Sequence, residues 1–250
     1  MFYNKIYEFC GAKNIGGAHK NGNSPPPRVV WILDLLNSNN INYILDEFED
    51  SEFPNNKFYN IFLPGTSLIA VSAHHDIVNP LSDNANDNSA SVINAISLKA
   101  ISPETSIILL DGEEPPMMGV GSRRASKKIL SGEYPNIKSV LNFELTGRGG
   151  KNFFIGNTGG ELSDKINSIF SPPNISTPFN DSDIFRECGI DSVVINPLPE
   201  TLNESRVKYS GKNLDFGIVY NCHSLKDNIN SIDTKDMKEF VEEVVIKIVK

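Results

Sequence analysis

Apolar residues recur along this chain with two different periods, one typical of helices and one typical of buried strands. Helical spacing is clear at residues 28–36, where apolar side chains cover a broad face before the polar run 37–40. Short β-branched and aromatic runs predict buried strands instead. The predicted strands are residues 43–48, 58–63, 68–73, 106–110, 139–143 and 192–195. The further predicted helices are residues 88–99, 118–130 and 162–170.

The two ends of the chain have different patterns. Residues 1–27 combine scattered glycines with three consecutive prolines, so we predict an irregular lead-in there. At the other end, apolar residues at helical spacing follow Thr234, a candidate N-cap, and predict an amphipathic closing helix. No repeat, low-complexity tract or linker divides the sequence. We therefore predict a single domain over residues 1–250.

The order of the predicted elements indicates the fold class. Strands that alternate with helices are typical of α/β domains, because two parallel strands need a crossover connection between them. Short, continuous apolar runs mark strands that are covered on both faces. The pattern predicts a three-layer α/β sandwich, in which a mostly parallel, mixed central sheet is flanked by helices.

Composition and charge exclude several classes of protein. The chain has 250 residues, 39% of them apolar and 22% charged, and its formal net charge is −8. A chain of this length buries roughly three quarters of its unfolded surface, so its core needs no metal to form. The negative charge and the lack of a large basic cluster argue against a nucleic-acid partner. No apolar stretch approaches the ~20 residues that cross a bilayer, so we expect no membrane partner.

The cysteines bear on the cellular compartment. Cys10, Cys188 and Cys222 are too few and too scattered for a disulfide framework or a zinc ribbon, and an odd number suits a reducing compartment. The first residues lack the basic-then-apolar pattern of a secretory signal. We expect a cytoplasmic protein, with a trimmed secreted form as the alternative. The residues indicate no particular oligomeric state.

Polar side chains stand directly after several predicted strands. In open α/β sheets, ligands bind beyond the carboxyl ends of the strands, so these positions mark a candidate site. The strand-end residues are His74, His75, Asp76, Glu113, Glu114 and Glu144. Asp87, in the polar run 84–88, and His223, in the run 221–224, complete the set.

This mixture of imidazoles and carboxylates suits zinc, and several carboxylates with few histidines favour two ions that share a bridging ligand. Each signal alone is weak. The Glu113-Glu114 pair also fits the start of a helix, Asp87 fits a helix cap, and His223 fits a buried histidine of the core. The complete set in one order along the chain is much more specific than any of its members.

That order resembles the M28 family of co-catalytic zinc peptidases, whose best-known members are aminopeptidases. The shared order is His-X-Asp, Asn-Asp-Asn, Glu-Glu, a carboxylate after the next strand, and a final His followed by Asp. It extends over about residues 60–233, and the segments 59–61, 121–123 and 181–190 add to it. Asp191 stands where the family often has proline.

The resemblance implies a role for each position. Five side chains would bind metal, with Asp87 bridging two zinc ions. The five are His74, Asp87, Glu114, Glu144 and His223. Glu113 would be the general base and Asp76 would orient the imidazole of His74, while Asp181 and Asp227 would lie behind the ligands. Glu144 stands where the family usually has aspartate, and its extra methylene makes a single zinc ion the alternative to two.

The implied activity is that of an aminopeptidase, which uses a metal-activated water to release N-terminal residues from a peptide or a small-molecule amide. We expect the substrate pocket beside the paired glutamates. Its predicted walls are Met117, Met118 and the loop 201–220, with Tyr209, Phe216 and Tyr220 as a candidate apolar floor.

Three other functions stay open. The glutaminyl-peptide cyclotransferase branch of the same fold keeps one zinc ion and resembles residues 111–114 and 223–228. Those cyclases build their pocket from tryptophans, one directly before the final histidine, whereas this chain has Cys222 there and Trp31 as its sole tryptophan. A non-catalytic M28-like interaction domain would have lost ligands that this chain keeps. A dinuclear carboxypeptidase or amidohydrolase would use similar ligands.

Overall fold

The structure is a computed structural model, which describes residues 1–13, 18–19, 24–197 and 222–250. The strands are β1 (Ala18–His19), β2 (Ile44–Asp50), β3 (Phe53–Leu63), β4 (Ile69–His74), β5 (Ser106–Leu110), β6 (Ser139–Phe143), β7 (Phe153–Gly156) and β8 (Asp191–Pro197). These eight strands form one sheet in the order β1-β3-β5-β4-β6-β8-β7, with β2 also paired to β3. The central strands β5, β4, β6 and β8 are parallel, and the marginal pairs are antiparallel. The predicted mixed sheet is confirmed, with its parallel pairs in the centre.

The helices are α1 (Ile6–Gly11), α2 (Pro27–Ser38), α3 (Ala90–Ile101), α4 (Val120–Leu130), α5 (Glu161–Phe170), α6 (Asp181–Glu187), α7 (Thr234–Glu239) and α8 (Ile246–Val249). A π-helical turn, Phe240–Val245, joins α7 to α8, so the predicted closing helix is present. Its N-cap is Asp233 rather than Thr234, because the Asp233 carboxylate accepts a hydrogen bond from the Lys235 amide. Within the described ranges, no helix is long and apolar enough to cross a membrane.

Helices cover both faces of the sheet. Along β4, Val71 and Ala73 belong to a core that includes residues of α2, α3, α5 and the C-terminal helices. Ala70, which directly precedes Val71, belongs to a second core with Ala125 of α4 and Phe185 of α6. Alternate side chains of a strand point to opposite faces, so the two cores lie on opposite sides of the sheet. The predicted three-layer sandwich is confirmed.

The predicted irregular lead-in is wrong over its first part. A 3₁₀ turn, Tyr3–Lys5, leads into α1, which buries Ile6, Phe9 and Cys10. These apolar residues have the spacing of one helical face, and their burial against the core stabilises a helix of little more than one turn. The run of prolines leads into the next helix: Pro26 is the N-cap of α2 and Pro27 is its first helical residue.

Two elements next to the site, β7 and α6, are absent from the sequence prediction. The α6 sequence is mostly polar, and its start is fixed by side chains. The side-chain Oδ1 of Asn180 accepts from the backbone amide of Ser182 at 3.0 Å, and the Asp183 carboxylate accepts from the backbone amide of Asn180 at 3.0 Å. This reciprocal capping defines the helix that carries Asp181.

Candidate metal centre

The candidate site lies beyond the carboxyl ends of the parallel strands. His74 ends β4, and the strands on either side of β4 are followed by the paired glutamates and by Glu144. Gly112 allows the sharp turn after β5, because its φ is +77° and a Cβ there would lie 3.0 Å from the Phe58 ring. Asp87 lies in the turn Ala85–Ser89 before α3, where its backbone departs from helical geometry, and His223 lies near the start of the described range 222–250.

Asp87 lies between the two imidazoles. Its Oδ1 is 3.4 Å from Nε2 of His74, and its Oδ2 is 3.3 Å from Nε2 of His223. Nε2 of His74 also lies 3.7 Å from Oε2 of Glu144, and Nε2 of His223 also lies 3.0 Å from Oε2 of Glu114. The result is two groups of potential ligand atoms that share Asp87, each group spanning no more than 4.8 Å.

These groups fit metal ions. Both contain one imidazole and two carboxylates, a donor set that zinc accepts. The Oε1 atom of Glu114 is buried without a hydrogen-bond partner. A buried carboxylate is costly unless a cation or a proton compensates its charge, and here five acidic side chains lie within 4.0 Å of two histidines. Bound cations at the two groups would supply that compensation.

Glu113 lies beside the shared carboxylate and forms a third possible group with His74 and Glu114. Its Oε2 is 3.9 Å from Nε2 of His74, farther away than the facing oxygens of Asp87 and Glu144. Burial raises the pKa of Glu113 well above its ordinary value, and the negative charges of Glu144 and Asp181 add to this effect. Glu113 is therefore a buried carboxyl group with an increased affinity for a proton, next to the ligand candidates.

Asp76 positions both His74 and the paired glutamates. Its Oδ1 is 3.5 Å from Nδ1 of His74, on the opposite side of the ring from Nε2. Its two oxygens also accept hydrogen bonds from the backbone amides of Glu113 at 3.2 Å and Glu114 at 3.1 Å. One buried carboxylate thus faces an imidazole and fixes the turn that carries two more acidic side chains.

Asp227 has a similar relation to Asp87. Its oxygens accept from the backbone amides of Asn86 at 2.8 Å and Asp87 at 3.0 Å, and Ser231 donates to it at 3.3 Å. Burial raises the pKa of Asp227 to about 6. The contacts fix the turn that carries the shared carboxylate.

Asp181 is a fully buried acid whose two oxygens have no hydrogen-bond partner of good geometry. Burial raises its pKa to about 7, and the charges of Glu144 and Asp76 act in the same direction. Its negative charge contributes to the raised pKa of Glu113, although Asp181 does not line the pocket.

The protonation of the ligand candidates reflects their mutual contacts. Hydrogen bonds to Asp87 and Glu114 raise the pKa of His223 to about 10. Burial opposes protonation of His74, but the charges of Glu113 and Glu144 hold its pKa well above the ordinary value. Burial raises the pKa of Glu114 to about 7. For Asp87, the two imidazoles outweigh burial and hold the pKa below its ordinary value.

The family model described as peptidase family M28 matches residues 62–248, about three quarters of the chain. The chain belongs to peptidase family M28. No curated protein sequence matches it.

Solved structures similar to this M28 chain include two kinds of enzyme. A zinc aminopeptidase from Bacillus subtilis is 17% identical, with a TM-score of 0.59 over 78% of this chain and 50% of that chain. An aminopeptidase of Legionella pneumophila is 13% identical, with a TM-score of 0.65 over 99% and 70%. A glutaminyl cyclase of Bacteroides thetaiotaomicron is 16% identical, with a TM-score of 0.69 over 99% and 95%. This chain therefore spans about half the length of the Bacillus enzyme, and all three share its fold.

The M28 chain carries glutamate where the resemblance expects aspartate, and two asparagines anchor it. Asn142 donates to Oε1 of Glu144 at 3.1 Å, and Asn88 donates to Oε2 at 3.2 Å. Ser72 in turn donates to the side-chain oxygen of Asn142 at 2.7 Å. The longer side chain thereby still faces His74. The sequence signal for this support is a polar residue inside the buried strand β6.

A pocket of about 240 Å³ opens at the ligand candidates of the M28 chain. Met118 lines it. Met117, the other methionine predicted as a wall, does not line it, because its side chain is buried in a cluster with Phe48, Phe58 and Val120. Tyr209, Phe216, Tyr220 and the predicted wall 201–220 lie outside the described residues. The other apolar pocket residues, which sequence analysis missed, are Pro115, Leu145, Phe154, Pro178, Phe179 and Val194.

Proposed function

We propose that this M28 chain is a zinc-dependent aminopeptidase that releases N-terminal residues from peptides or small-molecule amides. The position of Asp87 carries the proposal, because it directs one carboxylate oxygen toward each imidazole, at 3.4 Å and 3.3 Å. This geometry supports two bridged metal ions, the arrangement that the family resemblance implies for peptide hydrolysis.

Each ion would have its own set of side chains besides the shared Asp87. His74 and Glu144 would hold one, and Glu114 and His223 would hold the other. Zinc, when bound, supplies Lewis acidity, which acidifies water and polarises the scissile carbonyl. The single-zinc alternative would use the second set, in which the imidazole and carboxylate are closest, at 3.0 Å.

Glu113 would move the proton. In this proposal it takes a proton from the attacking water and delivers it to the departing amine, so it acts first as base and then as acid. Its raised pKa supports the second step, because a weakly acidic carboxyl group holds the proton until the amine needs it. Asp76 would hold the Glu113 backbone in place while this transfer occurs.

The pocket supports an apolar first residue of the substrate. Met118 and Phe179 are each 39% exposed and border the pocket beside the ligand candidates. An apolar substrate side chain would cover surface of these residues that water now contacts. The acidic side chains at the pocket floor suit a positively charged α-amine.

We also propose a cytoplasmic location, which the small and odd number of cysteines supports.

Glutaminyl cyclisation is the second candidate. In that reaction the substrate's own α-amine attacks its side-chain amide and ammonia leaves. The near-complete overlap with the Bacteroides cyclase, 95% of that chain, favours it. The position of Trp31 argues against it, because this sole tryptophan lies on α2 and packs against Phe9 at 4.8 Å between ring centroids. A pocket built from tryptophan is therefore not available to this chain.

Hydrolysis of leucine p-nitroanilide by the full-length, zinc-supplemented chain tests the proposal. We expect release of p-nitroaniline that stops when a chelator removes the metal and returns when zinc is restored. Zinc content should be measured on the same samples. Failure of the chain to retain zinc, or a rate equal to that of buffer with zinc present, would refute the proposed activity on this substrate class.

A further inference from the structure

Arg28, the second residue of α2, is completely buried. Arginine is almost never fully buried without partners that satisfy its charge and its donors. Its Nε donates to the carbonyl of Ala12 at 2.9 Å, Nη1 to the carbonyl of His75 at 2.9 Å, and Nη2 to the hydroxyl of Ser89 at 2.5 Å. The guanidinium also stacks 4.5 Å above the Phe9 ring. One side chain thus joins three distant segments of the chain.

Two of these acceptors belong to the segments that carry the ligand candidates. His75 lies between His74 and Asp76, so a hydrogen bond to its carbonyl holds the end of β4 in place. Ser89 ends the turn Ala85–Ser89, which contains Asp87, and its hydroxyl donates to the carbonyl of Asn84 at 2.5 Å. The planar guanidinium therefore spans the end of β4 and the turn before α3, and its fixed fork sets their separation.

The charge of Arg28 acts in the same place. The carboxylates of Asp76, Asp227 and Asp87 interact with it electrostatically. Burial lowers the pKa of Arg28 to about 10, so the group remains cationic at neutral pH. It therefore offsets part of the negative charge that the acidic residues of the site bring into the interior.

The N-terminal segment holds Arg28 from the other side. Ala12 and Phe9, its partners there, belong to α1 and the residue that follows it. Lys13 adds a second link, since it donates to the carbonyl of Ser82 and lies 3.7 Å from the Asp83 carboxylate. Asp83 also accepts from the Ile229 amide at 3.0 Å. The first helix is in this way connected to the loop before Asp87.

We propose that Arg28 is a positioning residue of the metal centre, which holds His74 and Asp87 at the separation a metal ion requires. The inference rests on the metal centre of the proposed function. Its effect passes through the His75 carbonyl and the Ser89 hydroxyl, since Arg28 itself does not line the pocket. A purely structural arginine would influence folding without influencing the affinity of the folded protein for zinc.

Arg28→Met is the test, because methionine fills much of the same space and removes both the charge and the donors. Zinc affinity is measured on the full chain by competition with a chromophoric chelator, and thermal unfolding of the zinc-free chain is followed in parallel. We expect a loss of zinc affinity of about 10- to 100-fold, the range found when partners of metal ligands are removed. Arg28→Lys keeps the charge and should recover part of the loss.

Arg124→Met is the matched control. Like Arg28, Arg124 lies over an aromatic ring, 5.4 Å from the centre of Phe48, and its guanidinium also donates hydrogen bonds. Two of its nitrogens donate to the Asp46 carboxylate, both at 2.9 Å. It contacts neither the end of β4 nor the turn that carries Asp87. We expect this variant to lower thermal stability while its zinc affinity equals that of the wild type.

The outcomes separate the inference from the proposed function. Wild-type zinc affinity in folded Arg28→Met would overturn the positioning role and leave the metal centre intact. If Arg28→Met does not fold, Ser89→Ala decides, since it removes one acceptor in a small side chain. Reduced affinity in Ser89→Ala supports the role, and unchanged affinity overturns it. A wild-type chain that binds no zinc would refute the metal centre itself.

Discussion

The adjacent glutamates 113 and 114 lead to opposite predictions for the same substitution. Glu114 Oε2 is 3.0 Å from the His223 imidazole, within the group that shares Asp87. Glu113 Oε2 is 3.9 Å from its nearest imidazole, that of His74. Glu113→Gln keeps the shape of the side chain and removes its ability to accept a proton. Because Glu113 belongs to neither of the two groups that share Asp87, this change should leave the fold and zinc retention intact.

The magnitude follows from the role assigned to Glu113. A positioned general acid or base contributes about 10²- to 10⁴-fold to a rate. This range corresponds to a rise in the activation free energy of about 3 to 5 kcal/mol. We expect the loss to fall on kcat and to leave KM nearly unchanged, because Glu113 would act in the transition state.

The assay combines steady-state hydrolysis of leucine p-nitroanilide with zinc analysis of each purified variant. Glu114→Gln is the matched control: it should lose zinc, and its activity should recover in part when excess zinc is added. A Glu113→Gln variant with wild-type kcat would refute the role of the base. A Glu113→Gln variant that loses zinc as readily as Glu114→Gln would show that this residue is a ligand.

Two further predictions concern the metal. Zinc affinity, measured by chelator competition, should rise with pH up to about 10 and most steeply below about pH 7. Zinc must displace a proton from His223 and, at the lower pH, one from Glu114 as well, because their pKa values are raised to about 10 and about 7. A flat profile would contradict this competition. Asp227→Ala removes the acceptor of the Asn86 and Asp87 amides and should weaken zinc binding about 10- to 100-fold, and unchanged affinity would show that other contacts fix this turn.

Much of the candidate site can be predicted from the sequence, because most of its side chains stand directly after short apolar strands. The strands are short apolar runs, and the side chains directly after β4, β5 and β6 must meet when those strands are parallel neighbours. Asp87 and His223 required the order of residues along the whole chain, since each alone fits an ordinary helix cap or a buried histidine. In the structure, Asp87 lies 3.4 Å from the strand-end residue His74, and His223 lies 3.0 Å from the strand-end residue Glu114.

The parts that escaped prediction depend on contacts between distant segments. Asn88, one of the two asparagines that hold Glu144, is 56 residues from it along the chain, and Arg28 is 47 residues from His75. Met117 and Met118 are neighbours in sequence, yet one enters an apolar cluster and the other borders the pocket. The short helix α1 has helical spacing at only three apolar residues, and their packing against the core stabilises it. Patterns this short, and contacts between distant segments, cannot be read from local periodicity.

Mass spectrometry of unblocked peptides tests the central claim most directly. Peptides that begin with leucine and peptides that begin with glutamine are incubated with the zinc-loaded chain and, in parallel, with Glu113→Gln. We predict stepwise loss of N-terminal residues with the wild type and little change with the variant. Loss of ammonia alone from the glutamine peptides would contradict aminopeptidase activity and identify a cyclase. Unchanged peptides in every sample would contradict both.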